Sequence, residues 1–170
     1  MKYGTLYSYW SHEWVCDYPA VAKKVRAAGC DILEVGAPHI AAMTDAQLAE
    51  LKAAAEDNGL ILTTNIGPSK DQDLASPDPA IRRNGLEFLT GVLRAMDKIG
   101  SKSLVGAMYS FWPCDFKYTD KEAAWDTSIA EMKKLAAVAE DLGIDLCQEV
   151  LNRFETYIMT NAAEGVEYCR

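Results

Sequence analysis

The sequence predicts an α/β protein of the (β/α)8 TIM-barrel type, of which the chain supplies about five β/α units. Three observations carry that expectation. Short strand-like runs alternate five times with longer amphipathic ones. Such alternation builds a parallel sheet with helical crossovers, either an open doubly wound sheet or a closed β/α barrel. No G-x-G-x-x-G follows the first strand and no G-x-x-x-x-G-K-[ST] occurs, so the nucleotide-binding open sheets lose support. The segments expected after the strand C-termini, where barrels carry their chemistry, are Tyr9-Trp10, Gly36-Ala37, Ile66-Gly67-Pro68, Tyr109 to Pro113 and Glu149 to Glu155; they are rich in aromatic, glycine and carboxylate residues.

The strand expectations are Tyr3–Tyr9, Asp31–Val35, Leu60–Asn65, Ser103–Met108 and Ile144–Val150, each rich in β-branched or large apolar residues. The first helix, about Tyr18 to Ala28, stops at Gly29. The second starts behind Thr44, whose hydroxyl suits an N-cap and which has Gln47 three residues on to complete a capping box; it ends at Asn58-Gly59. The third follows Ser76-Pro77-Asp78-Pro79, puts Ile81, Leu86, Leu89, Leu93 and Met96 on one side, and stops at Gly100. The fourth runs from about Asp120 to Leu142 and stops at Gly143, with Trp125 on its packing face; a fifth starts near Thr160.

At 170 residues and 49% hydrophobic, the chain can bury a core of its own, which excludes a disordered protein. Its start lacks the unbroken apolar run of a secretory signal, and no stretch approaches the roughly 20 apolar residues that span a bilayer. The expectation is a cytoplasmic protein with no membrane partner. A formal charge of -8, with basic residues scattered among acidic ones, opposes a nucleic-acid partner. Cys16, Cys30, Cys114, Cys147 and Cys169 form an odd set without a C-x-x-C pair, so they are read as buried or incidental thiols rather than disulfides or zinc ligands.

A complete barrel of this type has eight units in typically about 250 residues. Five units in 170 residues leave the first and fifth strands as open edges, which invite pairing with another chain. The expectation is a truncated gene product or fragment, unstable or associating through those edges when isolated.

Cys147-Gln148-Glu149-Val150-Leu151-Asn152-Arg153-Phe154-Glu155 carries most of the chemistry. Glu149 follows an apolar strand, and a carboxylate at a strand end is costly unless paired, hydrogen-bonded or bound to a metal. An ion pair with Arg153 or a lysine is the plain alternative. For Glu155 the plain alternative is a solvated surface carboxylate. Trp10, Trp14 and Trp112 fit a carbohydrate pocket, because sugars offer C–H faces that stack on aromatic rings; ordinary core packing is the alternative. His12 and His39 lie in expected loops without H-E-x-x-H spacing and are read as rim or surface residues. Pro38, Pro68 and Pro113 are read as loop stiffeners.

Glu-Val-Leu-Asn-Arg-Phe-Glu at 149–155, Tyr-Ser-Phe-Trp-Pro at 109–113, Ile-Gly-Pro-Ser at 66–69 and Tyr-Ser-Tyr-Trp at 7–10 together resemble the ketose 3-epimerase family that includes D-psicose and D-tagatose 3-epimerases. The likeness runs in order from Met1 to Arg170, as the N-terminal part of a single xylose-isomerase-like barrel domain. It implies epimerisation of free ketohexoses at C3, D-fructose to D-psicose and D-tagatose to D-sorbose, through an enediolate. It implies one divalent metal, manganese or cobalt, and a homo-oligomer, dimer or tetramer, when complete. By resemblance Glu149 is a metal ligand and a catalytic acid/base residue. Glu155 binds the substrate near its reacting end, and Leu6, Ala107, Trp112, Trp14 and Ile66 line the sugar pocket. Relatives usually carry Tyr or Phe at the position of Leu6, which bears on substrate preference. The other ligands and the second acid/base glutamate fall beyond residue 170, so the fragment alone is expected to be inactive and to hold metal poorly. The alternatives are a related sugar or hydroxy-carbonyl isomerase of the same superfamily, or a non-catalytic product that associates through its strand edges. A metal-dependent phosphodiesterase is disfavoured by the acidic balance.

Overall fold

A computed structural model describes residues 1–114 and 120–170. Five strands, β1 (Gly4–Leu6), β2 (Ile32–Gly36), β3 (Ile61–Ile66), β4 (Ser103–Gly106) and β5 (Asp145–Gln148), form one sheet in the order of the sequence. Every neighbouring pair is parallel. An open doubly wound sheet would reverse its strand order part-way. This one never does, so it follows the barrel path. As expected, β1 and β5 are its edges.

The crossovers are α1 (Tyr18–Ala27), the short α2 (Ala37–Ala41), α3 (Asp45–Asp57), α4 (Pro79–Ile99) and α5 (Lys121–Leu142), with α6 (Ala162–Tyr168) after β5. Their starts and stops are written in the sequence. Asp17, Asp78, Asp120 and Asn161 cap helix N-termini with side-chain oxygens, and Thr44 and Gln47 close the capping box. Gly100 and Gly143 end α4 and α5 in left-handed conformations that other residues resist.

Three boundaries differ from expectation. The first strand ends at Leu6, and Tyr7–Trp10 coil into a 3₁₀ turn. The cause is Tyr7, which turns into the core and donates its hydroxyl to the Trp14 carbonyl at 2.8 Å. The fourth strand ends at Gly106, whose φ of +142 breaks the extended run. The fifth then stops at Gln148, the register partner of Gly106, because its neighbour has ended. The stretch holding Pro38 and His39 is also the helix α2 rather than a loop, with proline in the first turn, where its missing N–H costs nothing.

Strand pleating divides the sheet into two faces. Leu33, Val35, Leu62, Thr64, Ile66 and Leu104 are buried under the helices with Leu51, Leu89, Leu93, Met96 and Leu135. Ile32, Glu34, Thr63, Asn65, Ser103 and Val105 alternate with them and are half-buried on the opposite face. Across that face Leu6, Glu34 and Thr63 share one register row, and Asn65, Val105 and Cys147 the next. All five cysteines are free and none is fully buried, so of the two expected readings, buried or incidental thiols, the structure keeps the incidental one. Among the described residues no helix is long and apolar enough to cross a membrane.

Candidate active site

Beyond the C-terminal ends of the strands lies a cleft of about 430 Å³, lined by Leu6, Trp14, Ile66, Ala107, Trp112, Glu149 and Glu155 among others. The seven site residues that the family resemblance implies all line it. Leu6 and Ile66 are the last residues of β1 and β3, while Ala107 follows β4 and Glu149 follows β5.

The backbone of Glu149 is held from both sides by the segment that ends β4. Its N–H donates to the Gly106 carbonyl at 3.0 Å, and its carbonyl accepts the Tyr109 hydroxyl at 3.0 Å. Tyr109 is fully buried, and burial pushes its phenol up to about 12, so it remains a donor throughout the ordinary pH range. Behind it, Ser128 of α5 donates to the Tyr109 carbonyl at 2.6 Å and meets the Tyr168 hydroxyl of α6 at 2.6 Å. Two helices therefore fix the strand end that carries Glu149. Its carboxylate is exposed and, among the described residues, takes no side-chain hydrogen bond and no ion pair. Among the described residues the ion pair with Arg153 or a lysine does not form; the Arg153 guanidinium stands 5.3 Å from the centre of the Phe154 ring instead.

Glu155 is half-buried and accepts hydrogen bonds from the Trp112 indole at 2.8 Å and from the Asn152 amide, so it is not a freely solvated carboxylate. Trp112 is placed by its backbone N–H, which donates to the Pro68 carbonyl at 2.9 Å, and by its ring, which lies on Gly67. A Cβ at Gly67 would come within 3.0 Å of that ring. The Cys114 N–H donates to the Glu155 carbonyl at 3.1 Å, so the loop after β4 ties the loops after β3 and β5 together. Trp14 is 76% exposed at the mouth.

Two polar residues of the cleft went unrecognised in the sequence. Glu34 on β2 accepts the Asn65 amide at 3.2 Å and the Thr63 hydroxyl at 3.4 Å. The signal was present: in Ile32–Gly36 a carboxylate occupies the strand face opposite the buried Leu33 and Val35. Trp10 is corrected in the other direction, because it packs against the core instead of lining the cleft. Trp125 packs edge-on against Tyr168, as expected of a packing residue. His12 is exposed and His39 packs on Tyr18 at 4.8 Å, both away from the cleft. Burial lowers the pKa of His39.

Among the described residues no three of His, Cys, Asp and Glu cluster as a metal site. The Glu149 carboxylate, without a side-chain partner among the described residues, has the oxygen donors that a hard divalent cation prefers.

Comparison with known proteins agrees with this geometry. The chain is 44% identical over 171 residues to the D-psicose 3-epimerase of Ruminiclostridium cellulolyticum, covering 100% of this chain and 58% of that protein. It is 43% identical to the D-psicose 3-epimerase of Agrobacterium fabrum, covering 100% of this chain and 59% of the relative. The crystal structure of the Clostridium cellulolyticum H10 D-psicose 3-epimerase with D-tagatose superimposes with a TM-score of 0.97 at 45% identity, over 99% of this chain and 59% of that one. The chain thus spans a little under three-fifths of the relatives it matches. Residues 22–170 also match the family described as the xylose isomerase-like TIM barrel, and with the sequence-order parallel sheet this means that the chain belongs to the xylose isomerase-like TIM barrel family.

Proposed function

We propose that this chain is part of a metal-dependent ketose 3-epimerase that interconverts free ketohexoses at C3, D-fructose with D-psicose and D-tagatose with D-sorbose. The observation that carries the reading is Glu149, a carboxylate free of protein partners among the described residues, standing in a cleft with Glu155 and two tryptophans. The 43–44% identity to D-psicose 3-epimerases supports it.

Inverting C3 of a ketose requires removal of the proton beside the carbonyl and return of a proton from the other face. Glu149 takes or gives that proton on one face; positioned groups of this kind contribute about 10²–10⁴-fold. Glu155 orients a hydroxyl near the reacting end, its own direction set by Trp112 and Asn152. Trp112, Trp14, Ile66, Ala107 and Leu6 wall the cleft and give the C–H faces of a sugar an apolar surface to lie on. A divalent cation, manganese or cobalt, held in part by Glu149, would polarise the carbonyl and acidify the C3 proton. Glu155 is taken up with substrate binding, and by the family resemblance the second acid/base glutamate and the other ligands are not among these residues, so the 170-residue stretch by itself is proposed to be inactive. The complete protein is proposed to be a cytoplasmic homo-oligomer.

The test is to incubate the full-length protein encoded by the gene with manganese and D-fructose and to assay D-psicose. Interconversion is expected. Failure to interconvert any ketohexose overturns the reading.

A further inference from the structure

The cleft has polar groups at two separate places. Glu149 and Glu155 stand on the β5 side, while Glu34 and Asn65 stand on β2 and β3, with mostly apolar wall between them. Asn65 is in register with Val105 and Cys147, two strands from β5, and Glu149 lies two residues beyond Cys147. With strands about 4.8 Å apart and a rise of about 3.3 Å per residue, positions 65 and 149 are roughly 12 Å apart along the sheet. One hydroxyl cannot serve both, so the two polar places read different parts of a bound molecule.

At the remote end the hydrogen bonds are directional. Glu34 accepts the Asn65 amide N–H and the Thr63 hydroxyl, both from β3. On its other side its register partner is Leu6, whose side chain has no hydrogen-bond donor. With the amide nitrogen committed to Glu34, the Asn65 carbonyl oxygen is turned away from the carboxylate and, among the described residues, accepts no hydrogen bond. A fixed acceptor at the end of an apolar cleft suits a hydroxyl donor.

Resting on the epimerase reading, we propose that Asn65, oriented by Glu34, binds a hydroxyl at the end of the ketose remote from C3 and makes the protein favour six-carbon over five-carbon ketoses. Asn65 is the specificity residue, and Glu34 is a positioning residue that acts through it. Leu6 leaves the β1 side apolar, so the recognition comes from β3 alone.

The experiment measures kcat/KM of the full-length protein for D-fructose, 6-deoxy-D-fructose and D-ribulose. In the unaltered protein, D-fructose is expected to exceed the two substrates lacking the terminal group by about five- to tenfold, the worth of one net hydrogen bond. This comparison needs no variant to fold. Asn65→Ala should collapse that ratio towards one. Glu34→Ala should lower it similarly, whereas Glu34→Gln, which keeps an acceptor for the Asn65 amide, should restore most of it. A merely structural role would lower all three substrates together and leave the ratio intact. A ratio near one in the unaltered protein, or an unchanged ratio in Asn65→Ala, overturns this inference while leaving the epimerase reading standing. An unaltered protein that epimerises no ketose overturns both.

Discussion

Replacing Trp112 with Phe tests how the cleft aims its second carboxylate. Phenylalanine keeps an aromatic ring over Gly67 but removes the indole N–H that donates to Glu155 at 2.8 Å. A hydrogen bond to a charged group contributes about 1.5–3 kcal/mol, and screening at a partly exposed site lowers that to about 1–2 kcal/mol. Trp112 is 37% exposed, so the lower range applies. Because Asn152 still holds the carboxylate, Glu155 loses direction rather than its place. At 1.4 kcal/mol per factor of ten, the expected fall in kcat/KM for D-fructose is about 5- to 30-fold. The assay is steady-state epimerisation by the full-length protein, with a thermal melt of the variant alongside. A change below twofold at an unaltered melt would refute the claim that the indole aims Glu155.

Three further outcomes follow from the geometry. Gly106→Ala should destabilise the protein by roughly 3 kcal/mol or more in urea titration, since strained backbone costs about 1–3 kcal/mol before any clash. A Cβ there would lie 2.0 Å from the Ile66 carbonyl oxygen, so a loss under about 1 kcal/mol would contradict the packing described. Tyr109→Phe removes the donor to the Glu149 carbonyl and, on the proposed role of Glu149, should lower kcat more than it raises KM; an effect on KM alone would mean that the tyrosine does not hold the strand end that carries Glu149. Burial lowers the pKa of His39, and its buried Nδ1 has no hydrogen-bond partner among the described residues. A depressed histidine folds best neutral, so its stabilisation is full above its ordinary pKa of about 6.5 and is lost as pH falls below that value. The melting temperature should drop as the pH is lowered from neutral, and His39→Phe should flatten the drop; an equal slope in the variant would exclude His39 as its source.

Much of the fold was legible because its signals are local. Thr44 with Gln47, Pro79 behind Asp78, and the glycines at 100 and 143 each fix a helix end by their own chemistry, and the structure uses all of them. What propensity could not read was where strands stop. That depends on Tyr7 turning inward, on the positive φ of Gly106, and on β5 losing its partner when β4 ends. The seven candidates were named largely from the family resemblance, and they share one cleft because the fold brings strand ends and the loops after them together. Glu34 and Asn65 escaped notice because they lie within strands, where their meaning depends on which face the pleat gives them. Trp10 misled for the opposite reason: it lies beyond the end of β1, yet the 3₁₀ turn of Tyr7–Trp10 packs it inward.

The claim on which the rest depends is that Glu149 moves the proton at C3. It is tested most directly by following deuterium from solvent D₂O into D-fructose with the full-length protein, unaltered and as Glu149→Gln. The account predicts deuterium at C3 of the recovered sugar in the unaltered protein, and a rate at least about 10²-fold lower in the variant, the usual contribution of a positioned acid/base group. Exchange at C3 that survives Glu149→Gln undiminished, or that occurs at C1 alone, would contradict it.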